Sequence, residues 1–335
     1  MVEERQWQVM NKLRLSAAPT SRIKQILLGL LTLAALLMGL ALMGTYLARW
    51  AWIFELVSHL RVHLVVGLVG IAVLFLLFGQ WSMAGVTALV GLIGFTSLAP
   101  FYFSSKWVGA DQGAVVYRAL ALNVHYHNDA YDEVLALVEA VSPDFVVLSE
   151  ATQPWRDGML PLLSEYPYTH FVGYGKHGRI IYSRFPFVEN GTGRVEDGER
   201  PSVVATLDLG VSQITIVGLH IRAPVKLEGA AQRNRQMASL AQFVQEQSQP
   251  IMLLGDFNIT PWSPVFRDFL AEADLVDARL GHGLTPTWPT SLPLAGVPID
   301  HAVVSPGIKI HDFQRGPHVG SDHFPIIVDF SLPAQ

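Results

Sequence analysis

The chain has 335 residues, half of them hydrophobic, with 23 Lys and Arg against 28 Asp and Glu and a formal net charge of −5. It has no cysteine, which excludes disulfide frameworks, thiolate metal sites and cysteine nucleophiles. From residue 107 onward 15 basic side chains oppose 25 acidic ones, so this part lacks the broad basic surface on which sequence-independent nucleic-acid binding rests.

In chain order, residues 1–25 carry Arg5, Lys12, Arg14, Arg22 and Lys24. Three apolar runs without Lys, Arg, Asp or Glu follow: Ile26–Leu47, Val62–Phe78 and Met83–Phe103. Each has about the length needed to cross a hydrocarbon core of ~30 Å, which predicts three transmembrane helices within residues 26–106. A signal peptide explains one such run but not three, and no small-residue cleavage site follows the first. The loop after the first run offers only Arg49 and Arg61. The positive-inside bias then puts residues 1–25 in the cytoplasm, and an odd number of spans puts residues 107–335 outside. The expectation is a multi-pass protein of the plasma (inner) membrane with an extracytoplasmic catalytic domain.

The remaining chain reads as strands and single helices. Val115–Val124 predicts a strand ending near Asn123. Asn128 or Asp129 then caps a helix with apolar positions Val134, Leu137 and Val141. Phe145–Leu148 predicts a second strand, stopping at Ser149-Glu150, and a crossover of this length makes the two strands parallel neighbours with Asn123 and Glu150 on one rim. Strands at Arg179–Tyr182, Ser202–Leu207 and Gln213–Gly218 follow, the last running into His220. A helix over Gly229–Gln247, with Met237, Leu240 and Phe243 on its apolar face, precedes the buried strand Ile251–Leu254. A helix near Trp262–Ala271 and short strands at His301–Val304 and Pro325–Phe330 complete the list. Strands outnumber helices, which predicts two packed sheets with helices outside rather than a barrel.

Asp256 and Asn258 fall two apart just beyond the Ile251–Leu254 strand, so a proton acceptor and an amide point the same way. Alone, Gly-Asp-Phe-Asn is equally a plain turn. The polar residue, however, falls repeatedly at a strand exit: Asn123, Glu150, His220, Asp256, Asn258, Asp300, Asp322 and His323. Acids, amides and imidazoles on one rim are the parts for metal-assisted attack of water on phosphorus.

The ordered series Asn123, Ser149-Glu150, Tyr182-Ser183-Arg184-Phe185-Pro186, Gly218-Leu219-His220, Gly255-Asp256-Phe257-Asn258, Ile299-Asp300-His301 and Ser321-Asp322-His323 resembles the endonuclease/exonuclease/phosphatase superfamily. That superfamily includes DNase I-like nucleases, inositol polyphosphate phosphatases and neutral sphingomyelinases, and the resemblance covers nearly all of residues 115–331. It implies a four-layer α/β/β/α sandwich with the site at the sheet edges. By the same resemblance Glu150 is the principal Mg²⁺ ligand, with Asn123 beside it and Asp322 as a further metal or water-positioning acid; Mn²⁺ is the alternate ion. Asp256 matches the residue that activates water, Asn258 the amide that holds a phosphoryl oxygen, and His323 the imidazole on the scissile phosphate, its tautomer fixed by Asp300. His220 is similar to the second imidazole, on the leaving-group side, and no carboxylate partner for it is identifiable. Arg184 and Arg222 are candidates for holding phosphate.

The expected activity is hydrolysis of a phosphoester, above all a phosphodiester, with three helices in a lipid bilayer. The substrate is left open among a lipid headgroup, a nucleic acid and a small molecule, and no protein partner is deducible. A membrane-tethered nuclease and a non-catalytic membrane interaction module are the alternatives.

Overall fold

A computed structural model describes residues 19–107, 114–195, 200–210 and 212–333. Residues 1–18, which carry most of the charges behind the expected cytoplasmic N-terminus, lie outside the described residues. The chain forms two compact units, and the division is not at residue 107. One holds the chain up to Tyr46 with Arg61–Thr96; the other holds Leu47–Leu60 with everything from Ser97 onward.

In the first unit the helices are Pro19–Gly44, Arg61–Leu77 and Trp81–Thr96. They pack through Leu42, Val65, Leu68 and Phe75, while Leu36, Leu40, Val66, Leu77 and Leu92 remain exposed. The expectation of three spans is not confirmed. Among the described residues only Arg22–Leu47 is long and apolar enough to cross a membrane by itself, and there are two such spans if the bent pair Trp52–Ser58 and Arg61–Leu77 is counted as one. The run Met83–Phe103 is apolar throughout but is not one helix. It stops at Thr96, and Pro100, which lacks a backbone N–H, opens a separate short helix, Pro100–Phe103. The 16 residues of Trp81–Thr96 reach about 24 Å at 1.5 Å per residue, short of the ~30 Å core.

The second unit contains two six-stranded sheets: one in the order β11 (Lys309–Arg315), β12 (Ile326–Ser331), β1 (Tyr117–Asn123), β2 (Phe145–Ser149), β4 (Arg179–Ser183) and β3 (Tyr168–Val172), the other in the order β5 (Phe187–Val195), β6 (Ser202–Asp208), β7 (Gln213–His220), β8 (Ile251–Asp256), β10 (Asp300–Val304) and β9 (Val276–Asp277). The strands that matter for the site are β1 (Tyr117–Asn123), β2 (Phe145–Ser149), β7 (Gln213–His220), β8 (Ile251–Asp256) and β10 (Asp300–Val304). The period-2 alternation of strands explains the layers. Ala119, Ala121, Phe145, Val147, Ile216, Met252 and Leu254 point between the sheets. Their neighbours Leu120, Leu122, Val146 and Leu148 face the helix Tyr131–Val141, and Val217, Leu219 and Leu253 face the helices Leu227–Gln245 and Pro264–Glu272. The result is the expected α/β/β/α order. Four strands without a clear apolar run lie outside the expected set: Tyr168–Val172, Phe187–Val195, Val276–Asp277 and Lys309–Arg315. The helix expected after an Asn128 or Asp129 cap starts at Tyr131, and Asn128 Oδ1 instead accepts the Ala130 N–H at 3.1 Å.

Within this unit the helix Trp52–Ser58 is pinned by a buried acid. Glu55 Oε2 accepts from Arg233 Nη2 at 2.6 Å, and Oε1 accepts from Ser263 Oγ at 2.9 Å. Ser263 also caps the helix Pro264–Glu272, accepting the Val265 N–H, and the Trp262 indole donates to the Ser58 carbonyl. Glu55 and Arg233 are 3 % and 0 % exposed. Removing one partner of such a pair leaves an uncompensated buried charge, so Glu55→Ala is expected to destabilise this unit by roughly 3–5 kcal/mol. Denaturant unfolding of the detergent-solubilised full chain, followed by tryptophan fluorescence, measures it.

Candidate active site

Register brings the strand-end residues together. In the parallel pair β1–β2, Asn123 lies opposite Ser149, one residue before Glu150. In the second sheet His220 lies opposite Asp256, and Asp256 opposite Asp300 across β8–β10. Two glycines allow this convergence. A Cβ on Gly255, whose φ is +131°, would stand 2.2 Å from the Leu219 carbonyl oxygen, and one on Gly218 would stand 2.6 Å from Val147 Cγ1 of the facing sheet.

Glu150 adopts φ 58° and Asn258 φ 51°, the left-handed region that non-glycine residues enter at a cost of order 1–3 kcal/mol. At Asn258 the turn is held by Asp256. Its Oδ1 accepts the Asn258 N–H at 2.8 Å, and its Oδ2 accepts Asn258 Nδ2 at 3.0 Å and Asn123 Nδ2 at 3.3 Å. Glu150 Oε2 accepts the Tyr126 N–H at 3.0 Å. On the other wall Ser321 Oγ donates to the Asn123 carbonyl and accepts the His323 N–H, a turn that sends His323 inward. His323 Nδ1 donates to Asp300 Oδ2 at 2.9 Å, and its Nε2 stands 3.8 Å from Asp256 Oδ2.

These contacts set the charges. Burial pushes Asp256 up to about 7, with the nearby His323 holding it from rising further. For His323 burial works against the charged form, but Asp300 and Asp256 together outweigh it and raise the imidazole to about 10. At neutral pH the site therefore holds an imidazolium and a carboxylate poised near its titration point. His220 is the opposite case: burial, then the charges of Arg179 and Arg200, hold it well below 6.5, so it is neutral.

Asp256, Asn258, Asn123, Glu150, His220 and His323 line one cleft of about 430 Å³. Asp300 stands behind His323. Asp322 departs from expectation. The same turn sends its side chain outward, 43 % exposed, where it accepts from the Trp288 indole at 3.2 Å, so it is not among the residues lining the cleft. Arg184 also lies elsewhere, paired with Glu165 at 2.9 Å, and Arg222 is not part of the lining. The cationic side chains that do line the cleft are Lys176, in the short 3-10 helix Gly175–His177, and Arg200, neither marked by a strand-exit pattern.

Glu150 suits a hard cation. Its Oε1 has only Asn123 Nδ2 at 3.4 Å and His220 Nδ1 at 3.7 Å nearby, and among the described residues no Lys or Arg forms an ion pair with it. The buried His220 Nδ1 likewise has no hydrogen-bond partner among them. Asn123 turns its Nδ2 toward both carboxylates while its Oδ1 accepts the His125 N–H, which suits it to bridging Glu150 and Asp256 rather than ligation. Asp256, Asp300 and His323 also offer ligand atoms within 4.8 Å of one another, but an imidazolium bound to a carboxylate is a proton-sharing pair and a poor ligand.

Residues 120–323 match the sequence model of the Endonuclease/Exonuclease/phosphatase family. No curated protein matches the sequence. Similar solved structures include an endonuclease/exonuclease/phosphatase from Beutenbergia cavernae DSM 12333, 21 % identical, with TM-score 0.55 over 65 % of this chain and 72 % of that one. A humanized D. rerio TDP2 is 14 % identical with TM-score 0.55, over 64 % of this chain and 99 % of its own. The human Nocturnin catalytic domain with bound sulfate is 18 % identical with TM-score 0.53, over 65 % and 94 %. At these identities the likeness is one of fold.

Proposed function

Because the chain belongs to the endonuclease/exonuclease/phosphatase family, whose members hydrolyse phosphoester bonds, we propose that it is a divalent-cation-dependent phosphodiesterase. In this reading it is tethered to a membrane by its apolar N-terminal helix and acts through water activated by Asp256. The observation that carries the reading is the gathering of Asp256, Asn258, His323 and Glu150 around one cleft, with Asp300 behind the imidazole. Exposed leucines and valines on all three helices of the other unit support the membrane reading, because lipid covers such surfaces. Multi-pass insertion and an outward-facing catalytic unit remain part of the proposal.

In the reaction Asp256 takes a proton from water as the water oxygen bonds to phosphorus, in line with the ester oxygen. The phosphorus–oxygen bond to that group breaks, the leaving alkoxide takes a proton from solvent water to become an alcohol, and Asp256 returns the proton it took to solvent. His323, held charged by Asp300, donates to a phosphoryl oxygen whose negative charge grows. Asn258 orients the phosphate, Asn123 Nδ2 bridges the Asp256 and Glu150 carboxylates, and His220 serves the leaving-group side. Glu150 would hold a divalent cation, which would supply neutralising charge for the phosphoryl oxygens and the departing oxyanion.

The test is turnover of a chromogenic phosphodiester by the detergent-solubilised full chain with Mg²⁺, with plasmid DNA and phospholipid vesicles as parallel substrates. Turnover abolished by EDTA and restored by Mg²⁺ or Mn²⁺ is expected; silence on all three substrates overturns the proposal in favour of an interaction module. Glu150→Gln is expected to raise the Mg²⁺ concentration for half-maximal rate by more than about tenfold, since even outer partners of a metal site contribute 10–100-fold.

The pH profile follows from the two shifted groups. Asp256 acts only when ionised, so the rate rises with pH through about 7, and His323 acts only when protonated, so the rate falls through about 10. Asp300 is the largest contributor raising His323, so Asp300→Asn moves the alkaline limb to lower pH. An unmoved limb in kcat/KM against pH would remove His323 from its role.

A further inference from the structure

The active-site cleft has a wall that does not come from the sandwich. Leu56 and His59 line it, from the stretch Leu47–Leu60 that joins two apolar helices, and both belong to the same compact unit as Asp256 and His323. The stretch is built into that unit by the buried Glu55, Arg233 and Ser263 cluster and by the Trp262 indole on the Ser58 carbonyl. Around the same cleft lie Pro224, Val225, 70 % exposed, and Trp288, 39 % exposed. The cleft is thus two-sided in chemistry: carboxylates, imidazoles, Lys176 and Arg200 at the reacting end, and aliphatic and aromatic surface beside it. His59 adds a polar group to the apolar wall, since its Nε2 is buried and has no hydrogen-bond partner among the described residues.

Resting on the proposed phosphoester hydrolysis, we propose that the segment Trp52–His59 is a specificity element of the active site. Leu56 packs against an apolar chain on the substrate and His59 meets a polar atom next to the phosphate, so the substrate is an amphiphilic phosphoester taken from a lipid surface. Three observations select this occupant. First, Leu47 ends the membrane-length helix and Arg61 begins another apolar one, so Leu56 is five residues from lipid-compatible chain, at most about 18 Å. Second, the balance of −10 beyond residue 107 opposes a polynucleotide, whose many phosphates need many cations, whereas Lys176 and Arg200 suffice for a single phosphate. Third, an exposed valine and tryptophan beside a charged centre leave apolar surface for a ligand to cover. The segment is therefore more than a connector between helices. Its contribution is to the affinity for the non-reacting part of the substrate, while the bond broken remains the phosphorus–oxygen ester bond and water remains the co-reactant.

The test compares p-nitrophenyl methyl phosphate with p-nitrophenyl dodecyl phosphate, with plasmid DNA alongside. The full chain is used in mixed micelles with Mg²⁺, at a fixed surface fraction of the dodecyl ester. For the native chain kcat/KM is expected to rise at least about tenfold from methyl to dodecyl, which the burial of about two methylenes already supplies. Leu56→Gln should erase most of that ratio through KM, Leu56→Met should keep it, and Leu160→Gln, exposed and away from the cleft, should leave it unchanged. Equal rates on both esters, a ratio that survives Leu56→Gln, or faster cleavage of plasmid DNA overturns the inference while leaving phosphoester hydrolysis standing. No turnover of any of the three overturns both.

Discussion

Asp256→Asn is expected to lower kcat by about 10²–10⁴-fold, the range a positioned general base contributes. The substitution keeps the volume of the side chain but gives it a nitrogen where Asp256 Oδ2 now accepts from Asn258 and Asn123. It also removes a buried carboxylate that burial pushes up to about 7. A chromogenic-ester assay measures the loss, and circular dichroism establishes that the fold is retained. Residual activity above a hundredth of the native value would take the base role from Asp256. The stability of the variant carries a second signature. A carboxyl raised in the folded state contributes stability that is present below its unfolded value of 3.8 and is lost as pH rises through about 7. The native chain should therefore melt lower at pH 8 than at pH 5 through this group, and Asp256→Asn should narrow that difference.

His323→Gln has the second largest effect, a fall in kcat of about 10²–10³-fold, typical of losing one preorganised donor to a developing negative charge. The imidazolium is also what separates Asp256 from Asp300. With it gone, two buried acids face each other, and the group that restrains the rise of Asp256 is lost. The acidic limb of kcat/KM should accordingly move to higher pH, the reverse of what loss of a purely structural residue would do. A limb that stays in place, or moves down, would contradict the arrangement.

Much of this site was legible because its signal is local. An apolar run of four to six residues that stops at Asn123, Glu150, His220 or Asp256 marks a strand and its exit in one stroke, and parallel crossovers bring such exits to one rim. Lys176 and Arg200 carried no such mark, because residues between strands reach a cleft through the path of the connection rather than through periodicity. Asp322 lies away from the cleft lining for a related reason. It is adjacent to His323, but the turn at Ser321 decides which of the two faces inward.

By itself, the sequence determined the two packed sheets, the order of the polar strand ends and the apolar character of the first hundred residues, since alternation and run length depend only on near neighbours along the chain. Only tertiary structure decided that Met83–Phe103 breaks into two helices assigned to different units, and that the helix Trp52–Ser58 belongs to the unit that holds the cleft. The second of these rests on Glu55 meeting Arg233 and Ser263 across about 200 residues of chain. Water is a better environment for an isolated carboxylate than any protein interior, so Glu55 reads as exposed until the partners that compensate its burial are brought to it.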